Sequence, residues 1–188
     1  VASVALGFAL SAPVHAEPAY PAKPIQLVIP FAPGDTDQML RPITEKMGQY
    51  VGQPLIVNYK PGAGGGIGAA FTAAASPDGY TIVGSSPGSL VVVPLANKEI
   101  KYTTDSFTPV AAIALGGMMI VAQGNSRYKT LADVVADARA RPDAIAYGTS
   151  GAMGISHLLG ETFAAEAKIK LRHIPFQGST PAVTALLG

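Results

Sequence analysis

Short apolar runs alternate with segments of helical periodicity along most of the chain. The runs that predict strands lie at 25–29, 55–57, 80–83, 110–114, 118–122, 145–147 and 171–174. The segments that predict helices lie at 37–51, 67–75, 131–141, 156–167 and 181–187. A strand followed by a helix and a second strand is the usual unit of a parallel sheet. The pattern therefore predicts an α/β fold with parallel strands.

The first predicted helix has an apolar face and a polar start. Met39, Ile43 and Met47 repeat every four residues and so share one side of a helix. Thr36 or Asp37 precedes them and is the expected N-cap, because both side chains accept hydrogen bonds from the N–H groups of a first helical turn. The helix thus follows the first strand after a short loop.

The strands and helices fall into two groups. The first three strands and their helices form one group, and a new strand–helix–strand pattern begins after residue 124. Its first helix starts with Thr130-Leu131-Ala132-Asp133, a sequence that resembles a capping box. The last helical pattern ends in the apolar pair Leu186-Leu187, which normally leads into a further element. We therefore expect a first lobe over 17–123 and a partial second lobe over 124–188, in a chain truncated at its C-terminus.

The first residues carry the features of a signal peptide. Residues 1–12 are small and apolar, and Val14-His15-Ala16 supplies the small side chains that signal peptidase needs at positions −3 and −1. The apolar stretch is too short to span a bilayer. We interpret residues 1–16 as the remnant of a signal peptide that is cleaved after Ala16, and the protein as exported. The alternative is an apolar helix that packs on the body of the protein.

Composition restricts the partners and cofactors. The chain has 188 residues, of which 48% are hydrophobic and 13% charged, so it can bury a substantial core. Its 13 basic and 12 acidic residues give a net charge of +1 without runs of either sign, so we expect neither nucleic acid binding nor membrane insertion. There is no cysteine, and the three histidines lack metal-ligand spacing. We therefore expect no disulfide, no metal and no cofactor.

Glycine- and serine-rich turns follow three of the predicted strands, at 31–37, 84–89 and 148–157. In a parallel sheet, the helix N-termini beyond the strand ends offer unpaired N–H groups and a partial positive charge. Such turns can hold a carboxylate without any charged side chain. Each turn alone is equally an ordinary connection between a strand and a helix. Their recurrence in both lobes favours a binding site.

A fourth glycine-rich segment, at 61–68, does not match a nucleotide-binding motif. It fits neither G-x-G-x-x-G nor the P-loop, which ends in Gly-Lys-Ser or Gly-Lys-Thr. We interpret its glycines as a place where backbones approach closely, ahead of a helix of small residues.

The sharpest rival hypothesis is a secreted serine hydrolase. The segment Gly84-Ser85-Ser86-Pro87-Gly88 matches the nucleophile motif G-x-S-x-G and follows a predicted strand. In that motif the backbone N–H after the serine stabilises the oxyanion, and here that residue is Pro87, which has no N–H. His157 and His173 are present, but no spacing places either of them beside Ser86 with a carboxylate behind it. The residues favour binding without catalysis and keep hydrolysis as the alternative.

Five short motifs occur in a specific order and spacing. They are YPAKPI at 20–25, VIPFAPG at 28–34, PGAGG at 61–65, PDGYT at 77–81 and SHL at 156–158. Together they resemble the Bug family, the periplasmic receptors of tripartite tricarboxylate transporters. The resemblance covers nearly all of the chain after the predicted signal peptide.

This resemblance implies a type II periplasmic-binding-protein fold, with two α/β lobes and a ligand cleft between them. It implies a periplasmic receptor that binds a small carboxylate without chemistry and delivers it to membrane permease subunits. Family members hold the carboxylate largely with backbone N–H groups, hydroxyls and ordered waters. Carried over by motif, the expected ligand contacts are Phe31, Ala32, Gly34, Thr36, Asp37, Ser86, Gly88, Ser150, Gly151, Ser156 and His157, with Phe176 and Gln177 as weaker candidates.

The first loop departs from the family pattern. Members commonly carry P-G-G-x-T-D, whereas this chain has Pro33-Gly34-Asp35-Thr36-Asp37, which is one residue shorter and has a single glycine. The negative charge of Asp35 would also repel an anion. We therefore expect the geometry of this carboxylate clamp to differ from the family pattern.

Overall fold

The computed structural model describes residues 19–188. The predicted signal peptide, residues 1–16, lies outside the described residues. No helix within residues 19–188 is long and apolar enough to cross a membrane.

Strands and helices alternate along the described chain. The strands are β1 (Ile25–Ile29), β2 (Leu55–Tyr59), β3 (Thr81–Val83), β4 (Ala146–Thr149) and β5 (Arg172–Pro175). The helices are α1 (Asp35–Val51), α2 (Gly66–Ala73), α3 (Val93–Ala96), α4 (Leu131–Ala140), α5 (Ile155–Ala167) and α6 (Ser179–Leu187). The predicted α/β alternation is confirmed.

β1 occupies the centre of a three-stranded sheet with the order β2-β1-β3. Both pairings are parallel, and Leu27 lies between Val57 on one side and Ile82 on the other. Leu27 and Ile29 are buried, and they pack with Leu40 of α1 to form the core of this lobe. The prediction of three parallel strands is therefore confirmed.

The expected N-cap of α1 is wrong. Gln38 N–H donates to the Gly34 oxygen at 2.8 Å, so Gly34 is the N-cap, and Thr36 and Asp37 lie inside the first turn. The carboxylate of Asp37 is engaged elsewhere, because Arg41 Nη2 donates to its Oδ2 at 2.6 Å. Asp37 is the third residue of the helix, so its side chain lies inside the first turn and not ahead of it, where an N-cap stands.

The helix predicted from Met39, Ile43 and Met47 is confirmed, but these residues are not its most buried positions. The buried positions are Asp37, Leu40 and Thr44, whereas Met39 is 53% exposed. Leu40 packs with Leu27 and Ile29 in the core of the first sheet. The side of α1 that carries Asp37, Leu40 and Thr44 therefore faces the sheet. Ile43 and Met47 are half-buried, so only Met39 of the predicted face points to solvent.

An extended segment, residues 108–123, connects the two sheets. The strands predicted at 110–114 and 118–122 do not form. The segment is exposed throughout, with Leu115 99% and Met119 83% accessible. A strand needs a neighbour that accepts and donates its backbone hydrogen bonds, and none of the described strands lies alongside this segment.

β4 and β5 form a second, parallel sheet. Tyr147 of β4 lies opposite His173 of β5. Ala138 of α4, Ala164 of α5 and Ile169 form the core beneath this sheet. The strand–helix–strand unit predicted after residue 124 is confirmed.

α4 begins with the capping box that its sequence predicts. Asp133 N–H donates to Thr130 Oγ1 at 3.2 Å, and Thr130 N–H donates to Asp133 Oδ2 at 2.8 Å. Lys129 N–H donates to the same carboxylate at 2.9 Å. These backbone donors, that of Lys129 first, lower the pKa of Asp133. The N-terminus of α4 is therefore occupied by its own side chains.

Replacing Ile29 with alanine is expected to destabilise the protein strongly. Its side chain is fully buried at the centre of the first core, so Ile29→Ala should lower the free energy of unfolding by about 2–5 kcal/mol. Ile56→Ala is the matched control, because this isoleucine lies in the adjacent strand and is 54% exposed. The control should cost about 1 kcal/mol or less. Urea unfolding measures both values, and equal losses would contradict the assignment of the core.

Candidate functional site

The loops at the carboxyl ends of strands in both sheets surround one cavity. Its volume is about 240 Å³. The residues that line it are Phe31, Gly62, Ala63, Gly64, Gly65, Ser150, Gly151, Ala152, Pro175, Phe176 and Gln177. They follow β1 and β2 in the first lobe and belong to or follow β4 and β5 in the second. Parallel sheets bind ligands at this edge, so the cavity is the candidate site.

Backbone atoms of the two lobes meet directly beside the cavity. Ala32 N–H donates to the Gln177 oxygen at 2.7 Å. A Cβ placed on Gly151 would lie 2.7 Å from Gly64 Cα, and a Cβ placed on Gly64 would overlap the oxygen of Ala152. Gly64 also has a φ of +63°, which side-chain-bearing residues adopt at a cost. The two lobes approach this closely only because glycine occupies these positions.

Four helices begin around this site without a side-chain cap. Their N-cap residues are Gly34 for α1, Gly65 for α2, Gly154 for α5 and Gly178 for α6, and none receives a side-chain hydrogen bond at its cap. α4, which begins away from the cavity lining, has the side-chain cap of Thr130. The first N–H groups of a helix have no partner within the helix, so the uncapped starts of α1, α5 and α6 are open to an anion. At α2, the N–H groups of Gly66 and Ile67 already donate to the Ala63 and Gly62 oxygens of the preceding turn.

Three of these N-cap glycines lie on or next to the cavity wall. Gly65 lines the cavity. A Cβ placed on Gly154 would lie 3.6 Å from the Gly64 oxygen, and one placed on Gly178 would lie 3.5 Å from Ala32 N. None of the lining side chains is charged. Backbone N–H groups are therefore the main source of positive potential at this described site.

A pair of serine hydroxyls adds polar groups at the second lobe. Ser150 Oγ and Ser156 Oγ lie 2.9 Å apart, and Ser150 N–H donates to Ser156 Oγ at 3.2 Å. Ser150 lines the cavity, whereas Ser156 stands behind it in the first turn of α5. The second hydroxyl thus orients the first.

Five of the residues named from the sequence line the cavity. Phe31, Ser150 and Gly151 were expected as ligand contacts, and Phe176 and Gln177 as weaker candidates. Two expected contacts, Ala32 and Ser156, lie one hydrogen bond behind lining residues. The other expected contacts are not lining residues; they are Gly34, Thr36, Asp37, Ser86, Gly88 and His157. Their contact with a ligand stays a prediction.

Asp37 is the expected contact that the structure places most differently. It is 6% exposed, and its carboxylate pairs with Arg41. The hydrogen bond from Arg41 is the main reason that the pKa of Asp37 is lowered. Tyr59 lies against the same carboxylate, and burial raises the pKa of the tyrosine. This carboxylate therefore stabilises the join between α1 and β2.

Sequence reasoning missed the contribution of the segment 62–65. Its glycines were expected to allow a close backbone approach, but they were not named as a cavity wall. The segment follows β2 at the same edge as the loop after β1. The rule that identified the other turns therefore also applied here. Ala152 and Pro175 were missed as well, because an apolar side chain in a loop carries no chemical signal.

The geometry does not support the hydrolase alternative. Ser85 Oγ pairs with Ser89 Oγ, so the serine next to Ser86 is engaged within its own turn. His157 Nδ1 accepts from Met153 N–H at 3.1 Å, and His173 Nε2 lies 2.6 Å from Thr149 Oγ1. Within residues 19–188, neither histidine reaches Ser86, as the general base of a triad must.

Comparison with known proteins extends these observations. Residues 39–188 match the family described as the tripartite tricarboxylate transporter family receptor. Protein BugT of Bordetella pertussis is 35% identical over 95% of this chain and 56% of its own length. A UPF0065 protein from the tcbD-tcbE intergenic region of Pseudomonas sp. strain P51 is 35% identical over 90% of this chain and 51% of its own. The chain thus spans about half the length of the curated relatives it matches.

Solved structures share the fold. The periplasmic binding protein BugD is 30% identical with a TM-score of 0.73, covering 89% of this chain and 56% of its own. MatC from Rhodopseudomonas palustris, solved with bound malate, is 27% identical with a TM-score of 0.79, covering 89% and 57%. R. palustris Rpa4515, solved with adipate, is 26% identical with a TM-score of 0.73, covering 89% and 56%. These likenesses confirm the predicted two-lobed fold of a periplasmic binding protein and the resemblance to the Bug family. With its cavity between two α/β lobes and this match, the chain belongs to the tripartite tricarboxylate transporter receptor family.

Proposed function

We propose that this protein is an exported receptor that binds a small carboxylate between its lobes and delivers it to the permease subunits of a tripartite tricarboxylate-type transporter. The observation that carries the proposal is the cavity beside which the uncapped N-termini of α5 and α6 lie, with the uncapped start of α1 from the first lobe against α6. An anion placed there completes the hydrogen bonds that the helices leave open. The malate and adipate bound by two related structures support the same ligand class.

The size and lining of the cavity favour a small ligand. A volume of about 240 Å³ is below the range of about 300–1,000 Å³ for drug-sized ligands. Phe31 and Phe176 provide apolar surface for a short carbon skeleton, and Ser150 provides a hydroxyl. A compact carboxylate with a few carbon atoms fits this combination.

Binding in this proposal is a conformational event without chemistry. A ligand that contacts N–H groups of both lobes stabilises the closed arrangement more than the open one. The contacts that Ala32 makes with Gln177, and Gly64 with Gly151, close the cavity on one side. A receptor of this kind releases its ligand when the lobes separate again.

The export of the protein is part of the proposal. The small residues at 14–16 and the apolar run before them support cleavage after Ala16. The related binding protein BugD is described as periplasmic, which agrees with export. We assign 17–123 to the first lobe and 124–188 to the second, since the extended segment 108–123 separates the two sheets.

Two stacked histidines support the second-lobe wall of the cavity. His157 and His173 have ring centroids 3.8 Å apart and an interplanar angle of 10°. His173 Nε2 lies 2.6 Å from Thr149 Oγ1, and Gly151 N–H donates to that oxygen at 3.4 Å. Burial, followed by the neighbouring His157, lowers the pKa of His173, and Glu161 opposes this in part. The neutral imidazole is therefore the form that the folded site accommodates.

Small carboxylates are expected to raise the melting temperature of the intact gene product. A ligand at 100 times its Kd stabilises the folded state by about 2.7 kcal/mol. The panel is malate, succinate, adipate and citrate, each paired with its neutral methyl ester, which keeps the skeleton and removes the charge. Thermal shift should respond to at least one acid and to none of the esters. Equal shifts with an acid and its ester would exclude anion recognition, and no shift with any acid would contradict the proposed ligand class.

Acid is expected to destabilise the protein partly through His173. Because the pKa of His173 in the folded state lies below its ordinary value of 6.5, the unfolded chain takes up a proton first as the pH falls. The stability that depends on neutral His173 is therefore present above about pH 6.5 and lost as the pH falls below it. His173→Gln retains a polar partner for Thr149 and cannot titrate. Urea unfolding at about pH 7.5 and about pH 5.5 should show a smaller loss for His173→Gln than for the wild type. Identical losses in the two proteins would refute this role of His173.

A further inference from the structure

One turn of the first lobe contacts both sides of the cavity from behind. It comprises residues 85–93 and is called the serine turn below. Ser89 is fully buried, and a Cβ placed on Gly65 of the cavity wall would lie 2.6 Å from Ser89 Cβ. A Cβ placed on Gly88 would lie 2.9 Å from Ile155 N, at the start of α5 in the second lobe. The position of the serine turn thus affects the cavity wall and the contact between the lobes.

The backbone of the serine turn leaves one buried carbonyl without a helical donor. Over Gly88–Val92 the chain forms a wide π-helical turn, in which Val93 N–H donates to the Gly88 oxygen five residues earlier. The next bond of this kind would join residue 94 to the Ser89 oxygen. Residue 94 is Pro94, which has no N–H. A buried carbonyl in this position needs a donor from elsewhere in the fold.

Tyr102 supplies that donor. Its side chain is 4% exposed, and its hydroxyl donates to the Ser89 oxygen. Burial raises the pKa of Tyr102 to about 12, so the phenol is protonated at physiological pH. The ring is fixed edge-on against Phe107, with centroids 5.4 Å apart and an interplanar angle of 79°. The donor is therefore held in one orientation.

We propose that Tyr102 is a positioning residue for ligand binding, because its hydroxyl fixes the serine turn that supports Gly65 and meets the second lobe at Ile155. Its hydroxyl donates to the Ser89 oxygen, and it acts on the cavity wall through Ser89. The ligand-binding part of this inference depends on the proposed function, whereas the ordering of the Gly65 wall does not.

The principal experiment removes only the hydroxyl of Tyr102. Tyr102→Phe keeps the ring and its contact with Phe107 but leaves the Ser89 carbonyl unpaired. On the intact gene product, the Kd for malate and for adipate should rise about fivefold or more. Amide hydrogen exchange at 62–65, in the absence of ligand, should become faster. Tyr128→Phe is the matched control, since its hydroxyl donates to Asp137 at 2.5 Å in α4, away from the cavity. This control should change neither the Kd nor the exchange at 62–65.

A second variant tests the contact between the lobes without disturbing Tyr102. Gly88→Ala places a methyl group against Ile155 N, so it should displace the start of α5, speed amide exchange at Ile155 in the absence of ligand, and weaken malate and adipate binding. If Tyr102→Phe does not fold, Gly88→Ala tests the role of the serine turn. The measurements are then its Kd for malate and adipate and the amide hydrogen exchange at Ile155.

Two results would overturn the role of Tyr102 or of the serine turn, and a third would distinguish that role from the proposed function. A lower melting temperature of Tyr102→Phe with unchanged Kd and unchanged exchange at 62–65 would make Tyr102 a core residue only. Wild-type affinity in Gly88→Ala would exclude the serine turn as a determinant of lobe contact. If wild-type protein binds neither acid, the proposed function fails for these ligands, and the exchange at 62–65 alone decides the role of Tyr102.

Discussion

The close approach of backbones at the cavity is the constraint on which the rest of the site depends. Gly64 and Gly151 come from different lobes and leave no room for a Cβ between them. Ala32 N–H and the Gln177 oxygen form a hydrogen bond across the same boundary. Because backbone atoms form the contact, the N–H groups of the surrounding helices come near the cavity instead of being screened by side chains.

The same constraint determines what lines the cavity. Where glycine backbones form the wall, few side chains reach it, and none of the described lining side chains is charged. A helix start with a serine, threonine or aspartate cap would direct its first N–H groups toward its own side chain. The helices at the cavity start at glycine, whereas α4 starts at Thr130 with a complete capping box. One chain therefore holds both a helix that its own side chains cap and helices that start uncapped beside the cavity. The Ser89 carbonyl and its donor Tyr102 belong to the support of that cavity.

Local sequence patterns predicted much of the architecture. They were wrong where tertiary packing determines which side of a helix is buried or whether a strand has a neighbour. The parallel sheet of β1, β2 and β3 follows from short apolar runs separated by helical patterns, and the Thr130 capping box follows from residue types at fixed spacing. The buried side of α1 did not follow from its apolar spacing, because Asp37 pairs with Arg41 inside the buried stripe. The apolar run at 110–122 predicted strands that do not form among the described residues, because a strand exists only where another strand completes its hydrogen bonds.

The sequence by itself determined the α/β class, the family and the turns at the strand ends, since these depend on residue type and on short-range spacing. Phe31, Ser150 and Gly151 were identified in this way and line the cavity. Only the tertiary structure decided that the segment 62–65 forms a wall and that Ser86 does not line the cavity. The reason is physical: which glycine backbones meet across two lobes depends on how two separate sheets pack, and no local pattern encodes that distance.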